Sequence, residues 1–181
     1  VTRSGHRLQK GMQEHLSAEI LFAQGESYWS KGQYSEAFQL YKETLRLKPT
    51  FILAYLRLGE VLFHTEQLTE ALICYEEALQ LDPQNPQIEA CIAQIYQRQG
   101  HMDLADHYYQ KSLTKEMMSG LLIQWKTMLP PLYQNAEELI QWRHRFSEGV
   151  KSLSQYASLK LKDPCYEVKK THFYLAYQGY N

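Results

Sequence analysis

The sequence predicts an all-α protein, in which about three helix-turn-helix repeats form an α-solenoid that is followed by C-terminal helices and one short terminal β-strand. The main observation is a 34-residue step that links small residues to small ones and aromatic residues to aromatic ones. These residues are Ala37, Ala71 and Ala105, and Tyr41, Tyr75 and Tyr109. A second observation is a proline after each of the first two units. A fixed self-similarity of this length is typical of helix-turn-helix solenoids.

Small residues mark the places where the two helices of a predicted repeat approach each other. Gly25 and Gly59 lie on the first helices, and Ala93 takes this position in the third unit. On each second helix an alanine is followed one turn later by a tyrosine. We therefore expect a small residue of one helix to face a large residue of the other, as close packing of two helices requires.

Turn and stop signals separate the predicted helices. Gly32 and Gly100 fall between the two helices of a repeat, where glycine adopts a positive φ without strain, and Glu66 takes this place in the middle unit. Pro49 and Pro83 follow the second helices and end them, because proline cannot donate a helical hydrogen bond.

Together these residues resemble the tetratricopeptide repeat family. The motif residues are Gly25, Tyr28, Ala37, Tyr41 and Pro49 in the first unit, Gly59, Leu62, Ala71, Tyr75 and Pro83 in the second, and Ala93, Tyr96, Ala105 and Tyr109 in the third. The resemblance places three repeats in residues 18–117, namely 18–51, 52–85 and 86–117. It implies a right-handed solenoid that binds proteins or peptides in a concave groove.

Helix periodicity predicts that first-helix residues three or four positions apart line this groove. They are Glu19, Phe22, Glu26 and Trp29 in the first repeat, Leu53, Leu56, Glu60, Phe63 and His64 in the second, and Gln87, Gln94, Gln97 and Arg98 in the third. We expect the aromatic residues to anchor a partner peptide and the three glutamates to favour a basic or amine-bearing one. The alternative is that the chain's own tail or a cap helix fills the groove.

Length and composition restrict the class of protein. A chain of 181 residues holds one or two domains. Cys74, Cys91 and Cys165 are odd in number and widely spaced, which argues against a disulfide framework and predicts a reducing, cytoplasmic location. No apolar run approaches the roughly 20 residues that span a bilayer, so we expect no membrane partner. The repeats carry eight basic and fourteen acidic residues, so we expect no nucleic-acid partner.

The segments on both sides of the repeats are predicted to be helical. Residues 1–17, with apolar side chains at helical spacing, form a cover helix or the end of an earlier repeat. Residues 118–162 form two packing or linker helices, of which Pro130 ends the first and Asn135 begins the second. The apolar stripe expected to be buried is Met118, Leu121, Leu122, Trp125, Met128 and Leu129 in the first helix, and Leu139, Trp142, Phe146, Val150, Leu153 and Ala157 in the second.

The last segment, residues 163–181, has the pattern of a buried β-strand. His172–Gln178 is a short, nearly continuous apolar and aromatic run, and residues 158–162 are its candidate partner in the chain. A strand of this kind without a sheet predicts the start of an α/β domain that continues past Asn181. Alternatively, the strand completes the chain's own fold or pairs between two molecules in a dimer.

A second resemblance concerns the C-terminal third. The runs Leu129-Pro-Pro-Leu-Tyr133, Glu137-Glu-Leu-Ile-Gln-Trp-Arg-His-Arg-Phe146 and Phe173-Tyr-Leu-Ala-Tyr-Gln-Gly179 look like the linker of bacterial SPINDLY-type proteins. These are O-GlcNAc-transferase-like glycosyltransferases with N-terminal repeats. The resemblance implies an interaction module that forms the non-catalytic N-terminal part of such an enzyme. The alternative is a free-standing adaptor or scaffold with no linked enzyme.

The sequence holds no pattern typical of an active site. It lacks a Gly-rich phosphate loop, a Cys-x-x-Cys motif and a His-Glu-x-x-His motif, so we expect no cofactor, no metal and no catalysis by this chain. The nearest cluster is His101, Asp103, Asp106 and His107. Two of its members can share a helix face as metal ligands do, but a helix start with an acidic first turn explains the same spacing.

Overall fold

A computed structural model shows that the prediction of an all-α fold is correct. The structure describes the backbone of residues 3–115, 119–153 and 155, and the side chains of residues 17–114, 121–153 and 155. The helices in these ranges are α1 (Arg3–Ser30), α2 (Tyr34–Leu47), α3 (Ile52–His64), α4 (Leu68–Leu81), α5 (Pro86–Gln99), α6 (Met102–Lys115), α7 (Ser119–Lys126) and α8 (Ala136–Leu153). The predicted strand, like the rest of residues 163–181, lies outside the described residues.

The chain forms two compact units, Val1–Gln84 and Asn85–Asn181. In the first unit α1 packs on α2, α2 on α3 and α3 on α4. In the second unit α5 packs on α6, α6 on α7 and α7 on α8. Helix α1 runs without a break for 28 residues, so residues 3–17 of the expected cover segment continue as one helix into the first repeat.

The expected contact between a small first-helix residue and a second-helix tyrosine is confirmed. A Cβ atom added to Gly25 meets Cε1 of Tyr41 at 2.6 Å, and one added to Gly59 meets Cε1 of Tyr75 at 2.6 Å. Contacts this short do not occur between carbon atoms, so glycine alone lets each tyrosine ring reach the facing backbone. Tyr41 is fully buried as a result, and the interior approaches close packing.

The turns also follow the prediction. Gly32 and Gly100 have φ values of +73° and +83°, and Glu66 takes their place with a φ of +60°. The N–H of Gln67, the next residue, donates to the carbonyl of Leu62 at 2.9 Å. This hydrogen bond closes the end of α3 in the way that usually accompanies a left-handed residue.

We expect the substitution Glu66→Gly to raise the free energy of unfolding by about 0.5–1 kcal/mol. Relief of the left-handed strain, roughly 1–2 kcal/mol for an L-residue, exceeds the greater freedom of glycine in the unfolded chain. The matched control is Gly32→Ala, where an added Cβ has no neighbour within 4 Å, so that strain alone acts and stability falls by about 1 kcal/mol. Urea melts measure both changes, and a neutral Gly32→Ala would contradict the argument.

The second helices of the chain begin in one 34-residue register. Their first residues are Tyr34 in α2, Leu68 in α4, Met102 in α6 and Ala136 in α8. Helices α7 and α8 therefore form a fourth pair in phase with the three repeats, which the sequence pattern did not predict. The signature residues are lost in this pair. Thr127 replaces the glycine or alanine of the first helix, Leu139 replaces the alanine of the second helix, and Arg143 replaces the tyrosine.

The core of the second unit lies between α5, α6 and α7. It joins Ala93 and Ala105 to the buried ring of Tyr109, and Leu121 and Met128 pack against them. Helix α7 ends at Lys126 rather than at Pro130. Met128 thus reaches the core from the segment after the helix, with only 1% of its surface exposed.

Helix α8 begins where the sequence predicted but is less buried than expected. The side chain of Asn135 caps it by accepting a hydrogen bond from the N–H of Glu138 at 2.8 Å. In the expected buried stripe, Val150 is 46% exposed, and the other described members are only half-buried. The residue of α8 that is buried is Gly149, whose added Cβ would lie 1.9 Å from the carbonyl oxygen of Lys126. The fourth pair therefore places its glycine on the second helix.

Candidate functional site

The predicted groove residues of α1 and α3 meet in the first unit through an ion-pair network. Nε and Nη2 of Arg57 donate to the two carboxylate oxygens of Glu26 at 2.9 and 3.0 Å. Nη1 of the same guanidinium donates to Glu60 at 2.7 Å. The hydroxyl of Tyr41 also donates to Glu26, at 2.6 Å. The network therefore joins α1, α2 and α3.

Burial and hydrogen bonds within the network shift the pKa values of Tyr41 and Arg57. Burial, and next the hydrogen bond to Glu26, raise the pKa of Tyr41 well above its ordinary value. Burial alone would lower the pKa of Arg57, but the hydrogen bonds to Glu26 and Glu60 outweigh it and raise the pKa. The side chain of Arg57 is 30% exposed. Within these three side chains, two carboxylates face one guanidinium.

Three aromatic rings meet one helical turn further along α1 and α3. The rings of Trp29 and Tyr34 are edge-to-face with centroids 4.9 Å apart, and the ring of His64 lies 5.7 Å from Trp29. The planes of Tyr34 and His64 are 12° from parallel at 6.2 Å. Tyr34 is 41% exposed, and the His64 side chain is exposed too. We call these three residues the Trp29 cluster.

The other predicted groove residues of the first unit differ in exposure. Phe22 packs against Tyr41 and Phe51, with ring centroids 5.6 and 5.0 Å apart, so it joins the core as much as the surface. Leu53 is 56% exposed. Glu19 is exposed, whereas Leu56 and Phe63 are half-buried. The face of α1 and α3 therefore offers both apolar and charged contacts.

The predicted groove residues of the second unit contact the fourth helix pair. The side-chain amide of Gln94 donates to Gln124 of α7 at 3.2 Å, and that of Gln97 donates to the carbonyl of Leu129 at 3.1 Å. The hydroxyl of Tyr109 donates to Gln97 at 3.2 Å. Of the remaining two residues, Gln87 is exposed and Arg98 is half-buried. The amides here hold α7 and the segment after it against α5.

The His/Asp cluster at the start of α6 has a packing role. Asp106 accepts hydrogen bonds from Nε1 of Trp125 at 2.9 Å and from Gln110 at 2.7 Å, and it pairs with Arg145. It thus connects α6 with α7 and α8. Over the described residues, no group of three or more His, Cys, Asp or Glu side chains is placed to hold a metal ion.

The described residues also include one open cavity and two buried cysteines. An open cavity of about 340 Å³ lies between α7 and α8, lined by Trp125, Lys126, Arg145, Glu148, Gly149 and Ser152. Cys74 and Cys91 are buried and form no disulfide within the described residues, and burial raises the pKa of Cys74 to about 11. In the part of the chain that is described, none of the helices has the length and apolar character that crossing a membrane requires.

Comparison of the sequence with known families and proteins gives consistent matches. Family models described as tetratricopeptide repeat match residues 28–95 and 92–114. Tetratricopeptide repeat protein 6 of Homo sapiens is 30% identical over 78 residues, which are 43% of this chain and 15% of that protein. The chain thus spans a small part of the human relative. Photosystem I assembly protein Ycf3 of Cyanophora paradoxa is 30% identical over 124 residues, 67% of this chain and 70% of that protein.

Solved structures share the fold at lower sequence identity. The crystal structure of MamA has a TM-score of 0.58 at 19% identity and covers 77% of this chain and 81% of its own. The first repeat domain of Spaghetti (RPAP3), bound to the HSP90 peptide SRMEEVD, has a TM-score of 0.55 at 15% identity. It covers 77% of this chain and 94% of its own. Both are built from helical repeats of the same kind as those described above.

Proposed function

We propose that this chain binds a peptide segment of a partner protein on the face of α1 and α3. The chain belongs to the tetratricopeptide repeat family and is a protein-interaction scaffold. The observation that carries the proposal is the Trp29 cluster, in which the half-buried Trp29 packs with the exposed Tyr34 and His64, because partly exposed aromatic rings held together by packing are typical anchors of binding surfaces. The half-buried Phe63 and the exposed Leu53 of α3 extend the apolar part of this face.

We propose a basic peptide as the ligand. Residues 18–84 carry ten acidic and five basic side chains, a net charge of −5, and Glu19, Glu26 and Glu60 belong to the face of α1 and α3. The Spaghetti domain binds SRMEEVD, a peptide with three acidic residues. Long-range attraction on the present face favours the opposite charge.

Trp29→Ala is the test of this binding face. We expect it to weaken the tightest peptide from a random library by more than about 1 kcal/mol, or at least about fivefold in Kd, because truncation removes a central aromatic anchor. The matched control is Ile73→Ala on α4, which truncates another large apolar side chain, 54% exposed, that does not belong to α1 or α3. Fluorescence polarisation measures both. Equal affinity of wild type and Trp29→Ala would move the site elsewhere.

We further propose that the chain catalyses no reaction and works in the cytoplasm. The support is that Asp106, the central member of the one His/Asp cluster singled out from the sequence, serves packing through Trp125 and Arg145. Cysteines that form no disulfide, as Cys74 and Cys91 do not within the described residues, suit a reducing compartment. Incubation with sugar nucleotides and mixed protein acceptors should give no transfer, and any turnover would overturn this view.

A second candidate function is the interaction part of a longer glycosyltransferase. It is supported by the resemblance of residues 129–146 and 173–179 to the SPINDLY-type linker, while the family matches stop at residue 114. The free-standing adaptor is the alternative. An intact native mass far above 21.3 kDa favours the longer enzyme, and a mass near it favours the adaptor. A dimer through His172–Gln178, outside the described residues, stays a prediction.

A further inference from the structure

The Trp29 cluster consists of three aromatic rings that contact one another. Its members come from three different elements: Trp29 from the last turn of α1, Tyr34 from the first turn of α2, and His64 from the end of α3. Tyr34 and His64 are nearly parallel, 12° apart, and Trp29 meets Tyr34 edge-on, with an interplanar angle of 61°. The three rings contact one another, and the exposed parts of Tyr34 and His64 face solvent.

Aromatic rings arranged in this way favour a cation. The faces of aromatic rings carry negative potential, and a cation within about 6 Å of a ring centroid is attracted to it. A planar guanidinium also stacks on a ring and is more weakly hydrated than an ammonium group, so it loses less on leaving water. Of the cationic side chains in proteins, arginine therefore suits the exposed face of an aromatic ring best.

The charges beside the cluster favour the same ligand. Glu26 precedes Trp29 by one turn of α1, and Glu60 precedes His64 by one turn of α3. Both carboxylates pair with Arg57, and the first unit as a whole is acidic, with a net charge of −5 over residues 18–84. The nearest lysine in the sequence, Lys31, has its ammonium 5.9 Å from the ring centroid of Tyr28, which lies outside the cluster.

We propose that the Trp29 cluster is the seat for an arginine side chain of the partner peptide. The proposal rests on the proposed function, since it names the residue of the ligand that this face recognises. The guanidinium lies against the rings of Tyr34 and Trp29, and the net negative charge of residues 18–84 attracts it. The peptide chain then runs over the exposed surface of α1 and α3.

A random 12-residue peptide library selected on the whole protein tests the proposal. We expect one arginine to recur among the selected peptides. In the best of them, replacing this arginine by citrulline, its neutral isostere, should weaken binding at least fivefold, in line with the strength of cation–π contacts. Replacement by lysine should have a smaller effect, because an ammonium group does not stack.

A double-mutant cycle locates the arginine on the cluster. For Trp29→Ala and Tyr34→Ala, the ratio of citrulline to arginine Kd should fall from at least fivefold towards one, because the contact partner is gone. The matched control is Tyr28→Ala, which removes a neighbouring tyrosine that is 37% exposed and not part of the cluster, and it should keep the full ratio. Thermal melts establish that each variant folds. If one variant does not fold, the comparison of the arginine and citrulline peptides on the wild-type protein still tests the proposal.

The outcomes separate the two proposals. If no peptide binds, the proposed function falls and the arginine seat falls with it. If peptides bind and Trp29→Ala weakens them, but citrulline binds as well as arginine, the proposed function stands and the arginine seat is wrong. A citrulline effect that is equally large in wild type, Trp29→Ala and Tyr34→Ala places the arginine elsewhere and also overturns the seat.

Discussion

The substitution Tyr41→Ala is expected to lower the free energy of unfolding by about 3–5 kcal/mol, the range for truncation of a large buried aromatic side chain. The ring of Tyr41 is fully buried against Gly25, so no neighbouring side chain can fill the space it leaves. Its hydroxyl also donates to Glu26 at 2.6 Å. Urea denaturation followed by circular dichroism measures the change. A loss below about 1 kcal/mol would show that the small–large pairing does not hold the first repeat together.

Tyr41→Phe is the matched control, because it keeps the ring and removes only the hydroxyl. We expect a loss of about 1–2 kcal/mol, since Glu26 keeps its two hydrogen bonds from Arg57. The pKa of Tyr41 is raised above 10.0 in the folded chain, so the stability that depends on its proton is complete below about pH 10 and decreases as pH rises, when the unfolded chain ionises first. Between about pH 9.5 and 11, wild type should lose more stability than Tyr41→Phe.

Gly149→Ala is expected to separate α8 from α7 and to lower the stability of the second unit by about 3 kcal/mol, the upper end of the range for overpacking. The added Cβ would lie 1.9 Å from the carbonyl oxygen of Lys126 and 2.8 Å from its carbonyl carbon. The clashing group is backbone and cannot rotate away, so the helix itself must move. The contacts between Asp106, Trp125 and Arg145 would then weaken.

The control for Gly149→Ala is Val150→Ala, one residue further along α8. Val150 is 46% exposed, so its truncation should change stability by less than about 1 kcal/mol. Amide hydrogen exchange measures the local effect directly. We expect faster exchange along α8 in Gly149→Ala alone, and unchanged protection of α8 would contradict the close approach.

The sequence was sufficient to predict the repeats because their packing is local and periodic. The pairing of Gly25 with Tyr41 repeats at Gly59 and Tyr75, and each turn shows a residue with positive φ where glycine or Glu66 stands. The fourth pair was missed because its register is kept while its small and aromatic residues are replaced. The expected burial of Val150 was wrong because a hydrophobic period shows which face of a helix is apolar but not whether another element covers it.

The candidate site was only partly predictable from the sequence. Periodicity brought Glu26, Trp29, Glu60 and His64 to one face, and the structure places members of α1 and α3 in contact there. It did not identify Arg57, which pairs with Glu26 across 31 positions of the chain. Contacts between helices depend on side-chain reach, and the sequence period of a single helix does not contain that information.

The 34-residue register of the second helices has a consequence for how this chain can change length. Because α2, α4, α6 and α8 start at equal intervals, the loss or gain of one interval leaves the phase of all the other helices intact. Shortening by a few residues would instead rotate every later helix about its axis. Whole 34-residue intervals are therefore the natural unit of deletion and duplication. The pair of α7 and α8 shows that the spacing can be kept when the signature residues are replaced.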